Sequence, residues 1–181
     1  MNTQFVVARS GKILFAAIAS ALVAGSAFAG PSPQTGSFQV TANVVASCRV
    51  TSTTDIAFGN YDPADVNNAA ALVANGNIAV RCVKGTTANV AIEQGANPAA
   101  ASTCATPLRQ MAGGGAERLA YAIFQDAART TPWGCDLTND QSFTAATVAT
   151  PTTLTTYGRI PAGQDVSVGA FADTVNVTVT F

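Results

Sequence analysis

Few side chains in this 181-residue chain could do chemistry. It has no histidine, so neither a Ser-His-Asp nor a Cys-His catalytic set can be assembled. Its cysteines are Cys48, Cys82, Cys104 and Cys135. No two stand at C-x2-C spacing, which argues against a zinc site. An even count in an exported chain reads as two disulfides, with three connectivities that sequence alone does not separate. Glu93, Glu117, Asp126 and Asp136 could in principle supply a glycosidase carboxylate pair. They sit mostly near turns and read as solvated loop acids. Gly113-Gly114-Gly115 lacks the Lys-Ser/Thr of a phosphate loop. Trp133 follows Pro132 near Cys135 and reads as a loop-packing aromatic in preference to a sugar-stacking one. Asn176-Val177-Thr178 matches a glycosylation sequon but falls in a predicted strand, so it reads as incidental. The expectation is a protein that is not an enzyme, with no catalytic residues, no metal and no cofactor.

Charge and targeting narrow the classes further. Arg9 and Lys12 precede the apolar run Ile13–Ala24, and Ala27-Phe28-Ala29 is a small-x-small cleavage pattern. Residues 1–29 are therefore expected to be a signal peptide, and the chain to be exported. Removing them takes two of the nine basic residues, leaving seven against ten acids, a net charge of −3. The sparse, scattered charge offers no basic patch for phosphates, so no nucleic acid is expected.

The elements that would carry any function are strands. Phe38, Val40, Ala42, Val44 and Ala46 alternate with polar residues, predicting a strand with one buried face that ends at Cys48. Asp55–Gly59 reads as a brief strand closed by Asn60-Tyr61-Asp62-Pro63. Ala70–Val73 and Ile78–Val83 flank Asn75-Gly76, a type I′ hairpin signal. Ala88–Ile92 alternates, Leu119–Phe124 is apolar on both faces, and Leu154–Ile160 is short and Thr-rich. Residues 64–71 could form one helical turn. Residues 174–181 alternate to the last residue, with Val175, Val177, Val179 and Phe181 on one face. Such an apolar edge invites pairing with another chain. Many short strands with regular turn signals predict an antiparallel sandwich or barrel in one domain.

Taken in order, these pieces resemble the spore coat protein U-like domain, the subunit type of archaic, Csu-type chaperone–usher pili. The resemblance is carried by the leader strand ending in Ser47-Cys48, by Ile56-Ala57-Phe58-Gly59-Asn60-Tyr61 and by Ile78-Ala79-Val80-Arg81-Cys82. It continues in residues 121–130, in Tyr157-Gly158-Arg159-Ile160-Pro161-Ala162-Gly163 and in residues 171–181.

The resemblance implies an all-β, antiparallel immunoglobulin-like β-sandwich that is incomplete, lacking its final strand. A periplasmic chaperone would fill the gap until an outer-membrane usher exchanges it for the leader of the next subunit. Residues 30–43 would then be the donor segment and 44–181 the pilin-type domain. Phe38, Val40, Ala42 and Val44 would be the donor face. Val175, Val177, Val179 and Phe181 would be the acceptor edge that the chaperone grips. The resemblance also implies a Cys48–Cys82 disulfide, leaving Cys104 with Cys135. The expected function is a structural subunit of a secreted pilus, exported through the periplasm to the cell surface. It would polymerise head to tail with other pilin subunits for attachment or biofilm formation. The alternative is a self-contained coat or carbohydrate-binding sandwich.

Overall fold

The computed structural model describes Gly30 and residues 32–181; the expected signal peptide lies outside the described residues. The chain divides after Thr41. In the first unit, the described residues form no strand, and Phe38 and Val40 are 88% and 85% exposed.

The second unit, Ala42–Phe181, holds all the described strands: β1 (Cys48–Thr54), β2 (Leu72–Cys82), β3 (Thr87–Ile92), β4 (Arg109–Ala112), β5 (Arg118–Phe124), β6 (Gln141–Thr144), β7 (Thr152–Ile160) and β8 (Val177–Thr180). One helical turn, α1 (Val66–Ala69), lies between β1 and β2, inside the segment expected to turn helically. The strands form a five-stranded sheet, β1-β2-β7-β5-β4, and a three-stranded sheet, β6-β3-β8; every named pairing is antiparallel. Period-2 burial puts Ile78 and Val80 of β2, Val90 and Ile92 of β3, and Leu119 and Ile123 of β5 into one core. The predicted all-β antiparallel class is the observed one.

Two buried polar side chains tie the layers together. Trp133 is fully buried and its indole N–H donates to Val90 O at 2.8 Å, which bears out the loop-packing reading. Arg109 is also buried and donates to the carbonyls of Ile92, Glu93 and Trp133 at 2.7–2.9 Å. Burial brings its guanidinium down to about 10, and it stays charged at neutral pH.

Three strand expectations are corrected. The leader is not a half-buried strand: residues 34–47 form none, and Val44 is 80% exposed. The domain's own first strand starts only at Cys48, so the whole alternating stretch is left unpaired by strand ladders. Asn75-Gly76 is not a hairpin turn but the middle of β2, paired with Tyr157 and Thr156. Gly76 is there for close approach: a Cβ would strike the Thr54 carbonyl and Thr156 Oγ1. Asp55–Gly59 makes no ladder; Ile56 and Phe58 lie half-buried.

Candidate functional site

The three-stranded sheet ends in an edge whose hydrogen-bonding direction can be read residue by residue. Glu93 N–H donates to Asn176 O at 2.9 Å, so that pair is hydrogen-bonded. In the antiparallel β3–β8 register the next such pairs are 91/178 and 89/180. Ala96 N–H donates to Thr174 O at 3.0 Å, and Ala112 and Ala172 exchange both bonds at 2.9 and 3.0 Å. Even-numbered residues from 172 to 180 thus turn their backbones toward neighbours. The odd-numbered Asp173, Val175, Val177 and Val179 aim their N–H and C=O groups at the opposite, open side. Val175, Val177 and Val179 are half-buried against the core, and Phe181 is 57% exposed.

A groove lies along that open side. One lobe, about 460 Å³, is flanked by Ile56 and Val177 and floored by Ile78, Ile92, Tyr121 and Ile123. A second lobe, about 800 Å³, lies between Gly59–Pro63 and Val166–Ala170, over Leu119 and Ile160. Both lobes are lined by Phe58, Met111 and Phe171, which makes them one continuous trough. Its floor is the hydrophobic core itself.

Both walls are fixed. On one side, two glycines leave flat notches in β2 and β7 for the segment that follows β1. A Cβ on Gly158 would stand 2.6 Å from Ile56 Cγ2 and 2.8 Å from Phe58 Cζ. Phe58 then meets Tyr121 edge to face, with centroids 6.5 Å apart. On the other side, the Tyr121 hydroxyl donates to Asp173 Oδ2 at 2.6 Å. Asp173 Oδ1 accepts from Ala96 N–H and Asn97 Nδ2, both at 3.0 Å. Burial, then the Asp173 bond, raises the Tyr121 hydroxyl above the ordinary phenol value, so it remains a donor. Gln164 clamps Ala120, and Tyr61 OH donates to Pro161 O at 2.9 Å, closing the far end of the wall.

The structure seats the other sequence candidates as follows. Cys48 pairs with Cys82 and Cys104 with Cys135, as the resemblance implied. Cys48 and Cys82 are directly opposite across β1 and β2, 4.1 Å apart at Cα, the close approach of a non-hydrogen-bonded pair. Glu93 lies near the sulfurs of Cys104 and Cys135, but the disulfide leaves no thiolate for a metal there. Glu117 is exposed, Asp126 and Asp136 are half-buried, and all three cap turns or loops. Hydrogen bonds from the backbones of Ser167, Thr131 and Thr138 lower their respective carboxyls, the opposite of what a general acid requires.

Sequence reasoning missed β4, β6 and the 166–171 wall. β4 and β6 have only four residues each, too short for a period to show. The wall has no periodicity because it makes no ladder.

The chain that carries this groove, the unpaired edge and the two disulfides falls in a recognisable sequence class. The sequence model of the Spore Coat Protein U domain matches residues 34–178. The chain belongs to that family. The matched region therefore takes in the alternating stretch of the leader, both disulfides and the open-edged strand as far as Thr178. A family relative, Protein U of Myxococcus xanthus, is 36% identical over 153 residues, covering 81% of this chain and 84% of that protein. Among solved structures, the fold is similar to one in a chaperone–tip adhesion subunit pre-assembly complex from the archaic chaperone–usher Csu pili of Acinetobacter baumannii. The TM-score is 0.50 at 24% identity, covering 76% of this chain and 40% of that one. This likeness shows the fold, and the chain spans well under half of the solved chain it matches.

Proposed function

We propose that this Spore Coat Protein U domain is a non-enzymatic structural subunit of a secreted chaperone–usher pilus. It polymerises by donor-strand exchange and serves surface attachment or biofilm formation. The observation that carries this reading is the trough: a sandwich whose core is open along a strand with an unpaired backbone edge. A complete sandwich has no reason to leave Ile78, Ile92 and Ile123 at the bottom of an open groove. The missing piece is a strand with alternate apolar side chains, and the leader, which forms no strand in its own domain, carries that alternation. Phe38, Val40, Ala42 and Val44 share a parity and are exposed. A strand laid along the odd-numbered edge would gain backbone hydrogen bonds, and its apolar side chains would fill the lobes. Burying Phe38, Val40 and Val44 contributes about 1.5–3 kcal/mol each.

In this account a periplasmic chaperone occupies the groove first, gripping Val175, Val177, Val179 and Phe181. An outer-membrane usher then exchanges it for the leader of another pilin subunit. The contact is head to tail and does not close, so it propagates as a filament at the cell surface.

Size-exclusion chromatography with light scattering on Gly30–Phe181, beside the same chain carrying Val40→Asp, tests the reading. Large oligomers from the first and monomers from the second support it. Monomers from both would point to the alternative, a self-contained coat or carbohydrate-binding sandwich.

A further inference from the structure

Charge is separated between the root of the leader and the far mouth of the groove. At the root, Arg49 of β1 is directly opposite Arg81 of β2. Val83 N–H donates to Ser47 O, so 47/83 and then 49/81 are hydrogen-bonded pairs, and both guanidinium chains leave the same face. Like charges directly opposite one another oppose strand pairing. Arg81 Nε is buried without a hydrogen-bond partner. Lys84 follows two residues after Cys82. The segments that meet here, residues 42–54, 77–92 and 141–153, contain no Asp or Glu.

The other end of the eleven-residue β2, about 35 Å away, has the opposite character. Asp62 and Asp65 precede α1, the Asp62 carboxylate accepting from Ala64 and Asp65 N–H, and Asp165 lies in the facing loop. Gly163 N–H donates to Asn67 O at 2.8 Å, holding that loop against α1 beside the larger lobe. Residues 55–80 and 160–181 contain no Lys or Arg. Asp65 and Asp165 are exposed.

We propose that Arg49, Arg81 and Lys84 of one subunit clamp onto Asp62, Asp65 and Asp165 of a second copy of this chain. The inference rests on the donor-strand reading. Antiparallel pairing is the more stable per residue. A leader antiparallel to β8 runs with Phe38 toward Phe181 and Val44 toward the lobe between 59–63 and 166–170. Arg49 follows Val44 by five residues, a reach of about 17 Å. The tether thus delivers the unpartnered cations of the entering subunit to the acidic mouth of the receiving one, whose segments 55–80 and 160–181 carry no Lys or Arg. Each set lacks a partner of opposite charge in its own segments and gains one at the junction.

Opposed fields of this kind accelerate encounter and are screened by salt. The test is filament growth of Gly30–Phe181, followed by light scattering at low and high salt, with Arg49→Glu, Asp65→Arg, both together, and Val40→Asp. Both charged positions are exposed, so circular dichroism should show four folded variants. The clamp predicts that growth slows about tenfold at low salt in each single charge variant. It also predicts that the double variant recovers most of the loss and that high salt erases the differences. Single variants growing like the parent, or a double variant no faster than the slower single, overturn the clamp. If Val40→Asp still grows filaments, the donor-strand reading fails as well.

Discussion

The Tyr121 hydroxyl and the Asp173 carboxylate meet at 2.6 Å and join β5, an interior strand of the large sheet, to the open edge of the small one. Asp173 is the first residue of the edge whose backbone faces the groove. The same carboxylate holds Ala96 N–H and Asn97 Nδ2, so one side chain sets the position of the rim for three elements. The proposed strand addition needs a rim that stays in register while the groove is empty, and this contact supplies it.

Tyr121→Phe removes the donor and leaves an acceptor with two remaining partners. The expected cost is about 1–2 kcal/mol of domain stability. The check is the urea midpoint of the non-polymerising Val40→Asp background. Hydrogen exchange should at the same time speed up at residues 172–176 more than in β2 or β7. Uniform loosening would show that the contact is merely part of the core.

Gly158→Ala tests the opposite rim. The added methyl group would overlap Ile56 and Phe58, which must move outward. Overpacking of this kind costs about 1–3 kcal/mol. Because the wall itself shifts, filament growth should fall more than stability alone predicts. Comparison with a core variant of equal stability, such as Ile123→Val, separates the two effects.

Glu117, Asp126 and Asp136 give the acid limb of stability a definite sign. Each carboxyl is held below its unfolded value, chiefly by a backbone N–H donor: Ser167, Thr131 and Thr138 respectively. Their contribution is present above about pH 4, the unfolded value, and is lost as pH falls through the lowered folded values. Unfolding midpoints of the Val40→Asp chain should therefore be flat from pH 7 to 5 and decline below about pH 4. A midpoint that rises on acidification would contradict these caps.

Val40→Asp carries the most direct functional expectation among the substitutions. Val40 is exposed in the free chain, so the monomer should keep its stability within about 0.5 kcal/mol. Polymer growth should stop, because an aspartate on the donor face would be buried without a partner in the groove. Unimpaired growth would exclude this face as the donor.

The sequence was most legible where strands are half-buried and long. The alternation of Ala88–Ile92 marks β3, the Thr-rich run Leu154–Ile160 marks β7, and the two-faced run Leu119–Phe124 marks the interior strand β5. Asn75-Gly76 misled because the dipeptide that suits a tight turn also suits a strand over which another segment passes at close range. The leader misled in another way. Its alternation is that of a strand with a buried face, yet the domain in which it stands leaves that face exposed. Periodicity reports that a segment is shaped for a sheet, and does not say in which molecule the sheet lies. The apolar face of the open edge was visible as Val175, Val177 and Val179, but Asp173, Phe171 and the 55–61 wall were not, because long-range hydrogen bonds and glycine notches place them.

The central claim is that the odd-numbered backbone of the last strand is the ladder on which a second chain assembles. Amide hydrogen exchange on Gly30–Phe181, read at single-residue resolution before and after polymerisation, tests it directly. The account predicts that Val175, Val177 and Val179 amides, which face the open groove in the free chain, become strongly protected in the polymer. Those of Thr178 and Thr180, already aimed at β3, should change much less. Polymer in which Val175, Val177 and Val179 exchange as fast as in the monomer would contradict it.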